Sequence, residues 1–198
     1  MSALHALVLA AGLGSRFGGR KLLSPWRGGV LLDGALTTAL AAPVDRVVLV
    51  TGSDADDVAA AARVQAQVLG QSDRLRVILA ERYAEGLSQS FKAGLAALPA
   101  DASGALVFLG DMPVVPLAMA EALARALARG APAAAPVCRG QRGNPVALSA
   151  GLFPQLMAQS GDKGARMVLD GLGDRLALIE TEDEGVLLDV DLPGQAPA

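Results

Sequence analysis

Four short apolar runs constrain this chain most: residues 4–11, 46–50, 76–80 and 105–109. Each is nearly continuous in Leu, Val, Ile and Ala rather than alternating with polar residues. Runs of this length without alternation are buried on both faces, as strands of a parallel sheet are beneath helices. The spacing predicts helices between and after them, over 31–41, 53–70, 87–98 and 116–129. Pro43, Pro99 and Gly130 supply stop signals, and Ser53 with Asp56 reads as an acidic capping box. Further strands are expected at 133–137, 145–148, 176–180 and 186–190, with short helices at 152–158 and 164–172. The pattern predicts an α/β fold: one Rossmann-like domain with a mostly parallel central sheet and helices on both faces. Ligands bind such sheets at the carboxyl ends of the strands.

Composition narrows the function classes. At 198 residues the chain suffices for one sizeable core. Aromatic residues are only 3%, so that core is aliphatic. Twenty acidic against 17 basic residues leave a formal charge of −3, which speaks against a nucleic-acid binder. No apolar run approaches the ~18–20 residues that span a membrane. The first residues, MSALHALVLAAG, carry no basic segment and do not read as a signal peptide. One cysteine (Cys138) and one histidine (His5) exclude a disulfide framework and a Cys- or His-rich metal site. The expected location is cytoplasmic.

The first apolar run delivers a loop with four glycines, Gly12, Gly14, Gly18 and Gly19, interleaved with Arg16, Arg20 and Lys21. Glycine lets backbone N–H groups approach an anion, and the cations offset its charge. Two familiar phosphate loops fail on spacing. The Walker pattern fails because Arg20 stands where its lysine is needed and no Ser or Thr follows Lys21. The dinucleotide pattern fails because Phe17 stands at its third glycine. A long loop carrying cations suits the clamping of a triphosphate whose pyrophosphate will leave.

The segment LAAGLGSRFGGRKLL resembles the LAAGxSxRxGxxK signature of MobA-like nucleotidyltransferases, most nearly the molybdenum cofactor cytidylyltransferases. Further segments follow in the family's order: GLSQS at 86–90, GDMP at 110–113, RGNP at 142–145, GDKGAR at 161–166 and DVDLP at 189–193. Three departures stand out, one being that WRGGVLLDGAL at 26–36 lacks the usual neat loop before its helix. Leu192 replaces the usual threonine, and Gly14 stands where many members carry serine. The resemblance implies a fold of the nucleotide-diphospho-sugar transferase type. It also implies Mg²⁺-dependent transfer of CMP from CTP to molybdopterin carrying molybdenum, with pyrophosphate released. The recipient of the product would be a molybdenum hydroxylase or its maturation factor.

Resemblance and residue chemistry together name the site. Leu9, Ala10, Ala11, Gly12, Gly14 and Ser15 would lie beneath the base and phosphates, and the Ala10-Ala11 pair resembles the cytidylyl rather than the guanylyl branch. Arg16 and Lys21 would stabilise the leaving pyrophosphate, whereas Arg20 reads equally as a solvated cation. Asp111, beside Gly110 at the end of a buried strand, would hold Mg²⁺, which is typically bound by one or two carboxylates plus phosphates. Its other reading is a helix N-cap. Asp191 would be the second metal ligand, again at the end of a strand. Ser88 and Ser90 either cap a helix or bind the nucleotide. Arg142, Gly143, Asn144, Asp162, Lys163 and Arg166 would line the acceptor pocket, although the last three also read as ordinary charges at a helix start. The nucleophile is an anionic phosphate monoester, so no strong base is required. Three rivals remain: guanylyl or other nucleotidyl transfer to a different phosphate acceptor, a non-catalytic molybdenum cofactor carrier, and a nucleotide-sensing module.

Overall fold

The computed structural model describes residues 3–12, 19–159 and 165–191. Its strands are β1 (Leu4–Ala10), β2 (Pro25–Trp26), β3 (Gly29–Val30), β4 (Val47–Thr51), β5 (Leu75–Leu79), β6 (Gly104–Leu109), β7 (Ala133–Cys138), β8 (Gln141–Arg142), β9 (Val146–Ser149) and β10 (Leu176–Glu180). Its helices are α1 (Leu31–Ala41), α2 (Ala55–Val68), α3 (Leu87–Ala96), α4 (Leu117–Ala128), α5 (Phe153–Ala158) and α6 (Arg166–Asp170). The main sheet runs β10-β7-β9-β6-β1-β4-β5, with β8 paired to β7. β1 lies parallel to both β4 and β6, and β4 parallel to β5. β9 runs antiparallel between β6 and β7. The sheet is mixed but mostly parallel, as the apolar runs predict.

Period-two alternation along β1 divides the core. Ala6, Val8 and Ala10 face a cluster built with α1, α2 and α4. Leu7, Leu9 and Ala11 face the opposite cluster, with α3, α5 and α6. Both sets are buried, which is why this strand has no polar face to show. The chain leaves β1 for β4 on one side, then returns to place β6 on the other. That reversal makes the carboxyl end of β1 the topological switch point of the sheet, where a crevice opens.

Several sequence expectations are corrected. Residues 186–190 do not form a strand. Among the described residues the chain makes a 3₁₀ turn at Glu184–Val186 and then crosses the carboxyl ends of the strands. The segment pairs with neither edge strand, β10 nor β5; it instead plugs the core with Val186 and Val190, which are 0% and 1% exposed. The stretch after Lys21, for which the sequence predicts no element before the helix at 31, forms a 3₁₀ turn over Lys21–Leu23 and the hairpin β2–β3. Ser53 does not cap α2. Asp54 is the N-cap residue, in a left-handed conformation, and it makes no side-chain cap bond. The polar stretch between the seventh and ninth strands contains β8, a continuation of the sheet by two residues. Residues 160–164, which include the first residue of the helix predicted over 164–172, lie outside the described residues, as does the tail from 192.

Helix α1 supports the loop after β6. A Cβ at Gly34 would lie 2.6 Å from the Cα of Pro113 and 2.7 Å from its carbonyl carbon. Thr38 Oγ1 donates to the Val115 carbonyl at 3.1 Å. Helix propensity alone would favour Gly34→Ala by about 1 kcal/mol. Overpacking against backbone costs ~1–3 kcal/mol, so the variant is expected to be less stable in urea denaturation, despite gaining a better helix former.

His5 is 1% exposed and lies at the amino end of β1, opposite the crevice. Burial lowers its pKa; Asp45 and Asp101 oppose that shift, and Arg46 adds to it. The neutral ring is therefore favoured in the folded protein. Stability from this group is complete above the ordinary value of about 6.5. It falls as the unfolded chain takes up the proton more readily than the folded one. Thermal midpoints between pH 7.5 and 5 should drop more steeply for the wild type than for His5→Gln.

Candidate active site

Two cavities open on the crevice side of the sheet. The first, of about 550 Å³, is lined by Leu9, Ala10, Ala11, Gly12, Lys21, Ser90, Asp111 and Asp191 among others. The second, of about 670 Å³, has an apolar floor that includes Leu9, Phe91 and Val107, and a polar rim of Arg142, Asn144, Arg166 and Asp170. Leu9, Leu87 and Leu109 line both, so the two cavities share a wall. In register, Leu9 stands beside Leu109 and Ala10 beside Thr51. The first cavity therefore sits directly over the ends of the three central strands.

The charged centre of the first cavity is a clamp. Lys21 Nζ donates to Asp111 Oδ2 at 2.8 Å and to Asp191 Oδ1 at 2.7 Å. Its side chain is 11% exposed, against 29% and 45% for the two aspartates. Burial pulls the Lys21 pKa down, but hydrogen bonds and charge from Asp111 and Asp191 outweigh it, and the net shift is upward. The ammonium is thus held charged. Three separate segments deliver these groups. Lys21 opens the 3₁₀ turn that follows Gly19 and Arg20, both at positive φ. Asp111 follows β6, and Gly110 beside it is pressed on β1, where a Cβ would stand 3.1 Å from the Leu9 carbonyl oxygen. Asp191 ends the crossing segment, which is tied down when Val190 N–H donates to the Asp111 carbonyl at 3.1 Å. Asp111 is thus held by the sheet on one side and by the C-terminal segment on the other.

The crossing segment also orders the second cavity. Asn144 N–H donates to the Val186 carbonyl at 2.8 Å. A Cβ at Gly143 would stand 2.9 Å from the Val186 carbonyl carbon, so only glycine allows the turn to pass there. Arg142 Nη1 pairs with Asp170 Oδ1 at 2.7 Å, and Arg166 Nε lies 3.9 Å from the other oxygen of that carboxylate. One carboxylate thus spans two arginines at the rim.

Most sequence-predicted residues meet in these two places. Leu9, Ala10, Ala11, Gly12, Lys21, Ser90, Asp111 and Asp191 share the first cavity, and Arg142, Gly143, Asn144 and Arg166 the second. Ser88 lines neither; its hydroxyl is buried without a hydrogen-bond partner among the described residues. Gly14, Ser15, Arg16, Asp162 and Lys163 lie outside the described residues. Arg20, read as a solvated cation, lines the first cavity and pairs with Asp57 at 2.7 Å in an exposed bridge. Sequence reasoning missed Tyr83, Asp54 and Asp170. Tyr83 is the only tyrosine of the chain, a signal that was available. Nothing local marks Asp170, which a fold alone brings beside Arg142. Among the described residues no group of three or more His, Cys, Asp or Glu is placed to hold a metal. Asp111 and Asp191 nevertheless converge oxygens on one cation position, the donor set of a hard divalent ion that keeps its remaining ligands for water and phosphate.

The clamp should register in alkaline stability. Because the Lys21 pKa is raised, its contribution is complete below the ordinary value of about 10.4 and is lost as pH rises through the folded value. The stability difference between wild type and Lys21→Met is expected to be flat from pH 7 to 10 and to shrink above that, as read by urea denaturation.

The chain is similar to several known proteins. Residues 6–177 match the model of the MobA-like NTP transferase domain. The chain is 29% identical over 193 residues to the molybdenum cofactor cytidylyltransferase of Escherichia coli K12, covering 98% of this chain and 93% of the relative. It is 32% identical over 195 residues to nicotine blue oxidoreductase of Paenarthrobacter nicotinovorans, covering 93% and 90%. Among solved structures, Rv0371c from Mycobacterium tuberculosis H37Rv superposes with a TM-score of 0.82 at 26% identity, covering 96% of this chain and 94% of that one. A complex of that mycobacterial protein with manganese has also been solved.

Proposed function

Since the chain belongs to the family of MobA-like NTP transferase domains, we propose that it transfers CMP from CTP to molybdopterin carrying molybdenum, with Mg²⁺ as the metal. The observation that carries the reading is the convergence of Asp111 and Asp191 on Lys21, above a cavity floored by Ala10, Ala11 and Gly12. Small residues there admit a nucleotide close to the backbone, and the Ala10-Ala11 pair supports cytosine as the base. The curated relative from Escherichia coli supports the same donor and acceptor.

The roles follow from the charges. Asp111 and Asp191 would hold Mg²⁺, which when bound offsets phosphate charge. Lys21 neutralises negative charge that grows on the departing pyrophosphate, a preorganised electrostatic role. Arg16 joins it from the glycine loop in this reading. Ser90 contacts the nucleoside from the first turn of α3. The second cavity shares Leu9, Leu87 and Leu109 with the first, so an acceptor seated there would meet the α-phosphate across a common wall. Arg142, Asn144 and Arg166 give that cavity the donors a phosphorylated acceptor needs. Positioning two reactants in adjoining cavities is itself a large part of the rate. The family resemblance gives Asp162 and Lys163, which lie outside the described residues, the same acceptor-binding role.

A redox reading follows from the nicotine blue relative. The test therefore runs both chemistries on one preparation. Purified protein, Mg²⁺ and molybdenum cofactor are given CTP, GTP, ATP or UTP while pyrophosphate is measured. Reduced nicotinamide consumption with an aromatic dye is followed in parallel. Release with CTP is expected, and Asp111→Ala should lower it by roughly 10²–10³-fold, the scale of losing one key electrostatic group. Release with GTP alone overturns the cytidylyl reading, and dye reduction without any release overturns the transferase reading.

A further inference from the structure

We propose that Lys21 is the resident counter-cation of the Asp111–Asp191 pair, and that it and a divalent metal exclude one another from that position. This rests on the transferase reading for the nature of the ligands. The consequence is an order of binding: the metal enters with the nucleotide, not before it.

The argument is electrostatic. Two carboxylates from distant segments point at one position, and the Lys21 ammonium occupies it at 2.7 and 2.8 Å. The lysine stem is almost wholly covered, so the ammonium is seated there rather than straying from solvent. A divalent ion bound by the same two oxygens would stand within a few ångströms of Nζ, and like charges at that range repel strongly. The ammonium must leave for the ion to be held by both carboxylates. It also needs an anion to go to, because leaving one buried pair without gaining another is costly. Lys21 itself lines the first cavity, where a triphosphate would lie. Its flexible four-carbon stem allows Nζ to pivot from carboxylate to phosphate without moving the backbone. Phosphate therefore draws Lys21 off the aspartates, and the metal takes its place between them. Each ligand raises the other's affinity through this one side chain, and by linkage the effect is reciprocal.

Binding of Mn²⁺, read by electron paramagnetic resonance of the free ion, tests this without any turnover. In the absence of nucleotide, Lys21→Met is expected to bind Mn²⁺ about tenfold more tightly than wild type, within the usual range of site-to-site coupling. Lys21→Arg keeps the charge and should stay close to wild type. Measured against a protein-free titration that accounts for the Mn²⁺ chelated by CTP itself, adding CTP should tighten Mn²⁺ binding by wild type and far less by Lys21→Met. Asp111→Asn in the Lys21→Met background should erase the gain. Lys21→Gln provides a second neutral variant, and cooperative melting of each protein verifies its fold. Equal or weaker Mn²⁺ binding by the neutral variants overturns the proposal, as does an equal gain in Lys21→Arg. Failure of the transferase reading would show instead as no pyrophosphate release with any nucleotide, whatever the manganese titration gives.

Discussion

The ionic clamp of Lys21 on Asp111 and Asp191 is the interaction on which the crevice side of this protein depends. The three residues lie far apart in the chain, and nothing local holds them together. The clamp joins the turn after the glycine loop, the end of a central strand and the C-terminal segment. Two carboxylates side by side would repel, and a cation between them is the simplest neutralisation. Under the proposed function the same charges would also serve a nucleotide and its metal, so stability and function would draw on the same groups.

The sheet makes the clamp accurate. Asp111 follows a strand buried on both faces, and Gly110 brings that strand's exit close against β1. Helix α1 then presses Gly34 beneath Pro113, so the loop after Asp111 rests on helical backbone rather than on mobile side chains. The C-terminal segment closes the arrangement from above, bonding the Asp111 carbonyl through Val190 and the Asn144 amide through Val186. One crossing segment thereby fixes residues of both cavities. A fault in it would be felt in both cavities alike.

Much of this was legible in the sequence because it depends on local pattern. Continuous apolar runs in β1, β4 and β6 state that both faces are covered, and helix α1 was bounded to the residue; the equally apolar run of β5 misleads, because that strand lies at the sheet edge and leaves Leu79 exposed. The loop spacing excluded two common nucleotide motifs before any fold was known. The path of residues 186–190 was not legible. An apolar run of that length reads as a strand, and only the finished fold shows that its valines fill the core while its backbone bonds to the Asp111 carbonyl and the Asn144 amide. The Ser53 cap failed for a related reason: a capping signal is weak beside the turn geometry that the β4 exit imposes through Asp54.

The residue types of the site were set by sequence: glycines where backbone must come close, cations in the loop after the first strand, aspartates after later apolar segments. So were the α/β class and the family, because these rest on spacing along the chain. What only the tertiary structure decided is who meets whom. That Lys21 sits between Asp111 and Asp191, that Asp170 spans Arg142 and Arg166, and that Ser90 lines a cavity while Ser88 does not, are facts of packing. Contacts across 90 or 170 positions of sequence are created when the sheet places strand ends side by side, and no local propensity encodes them.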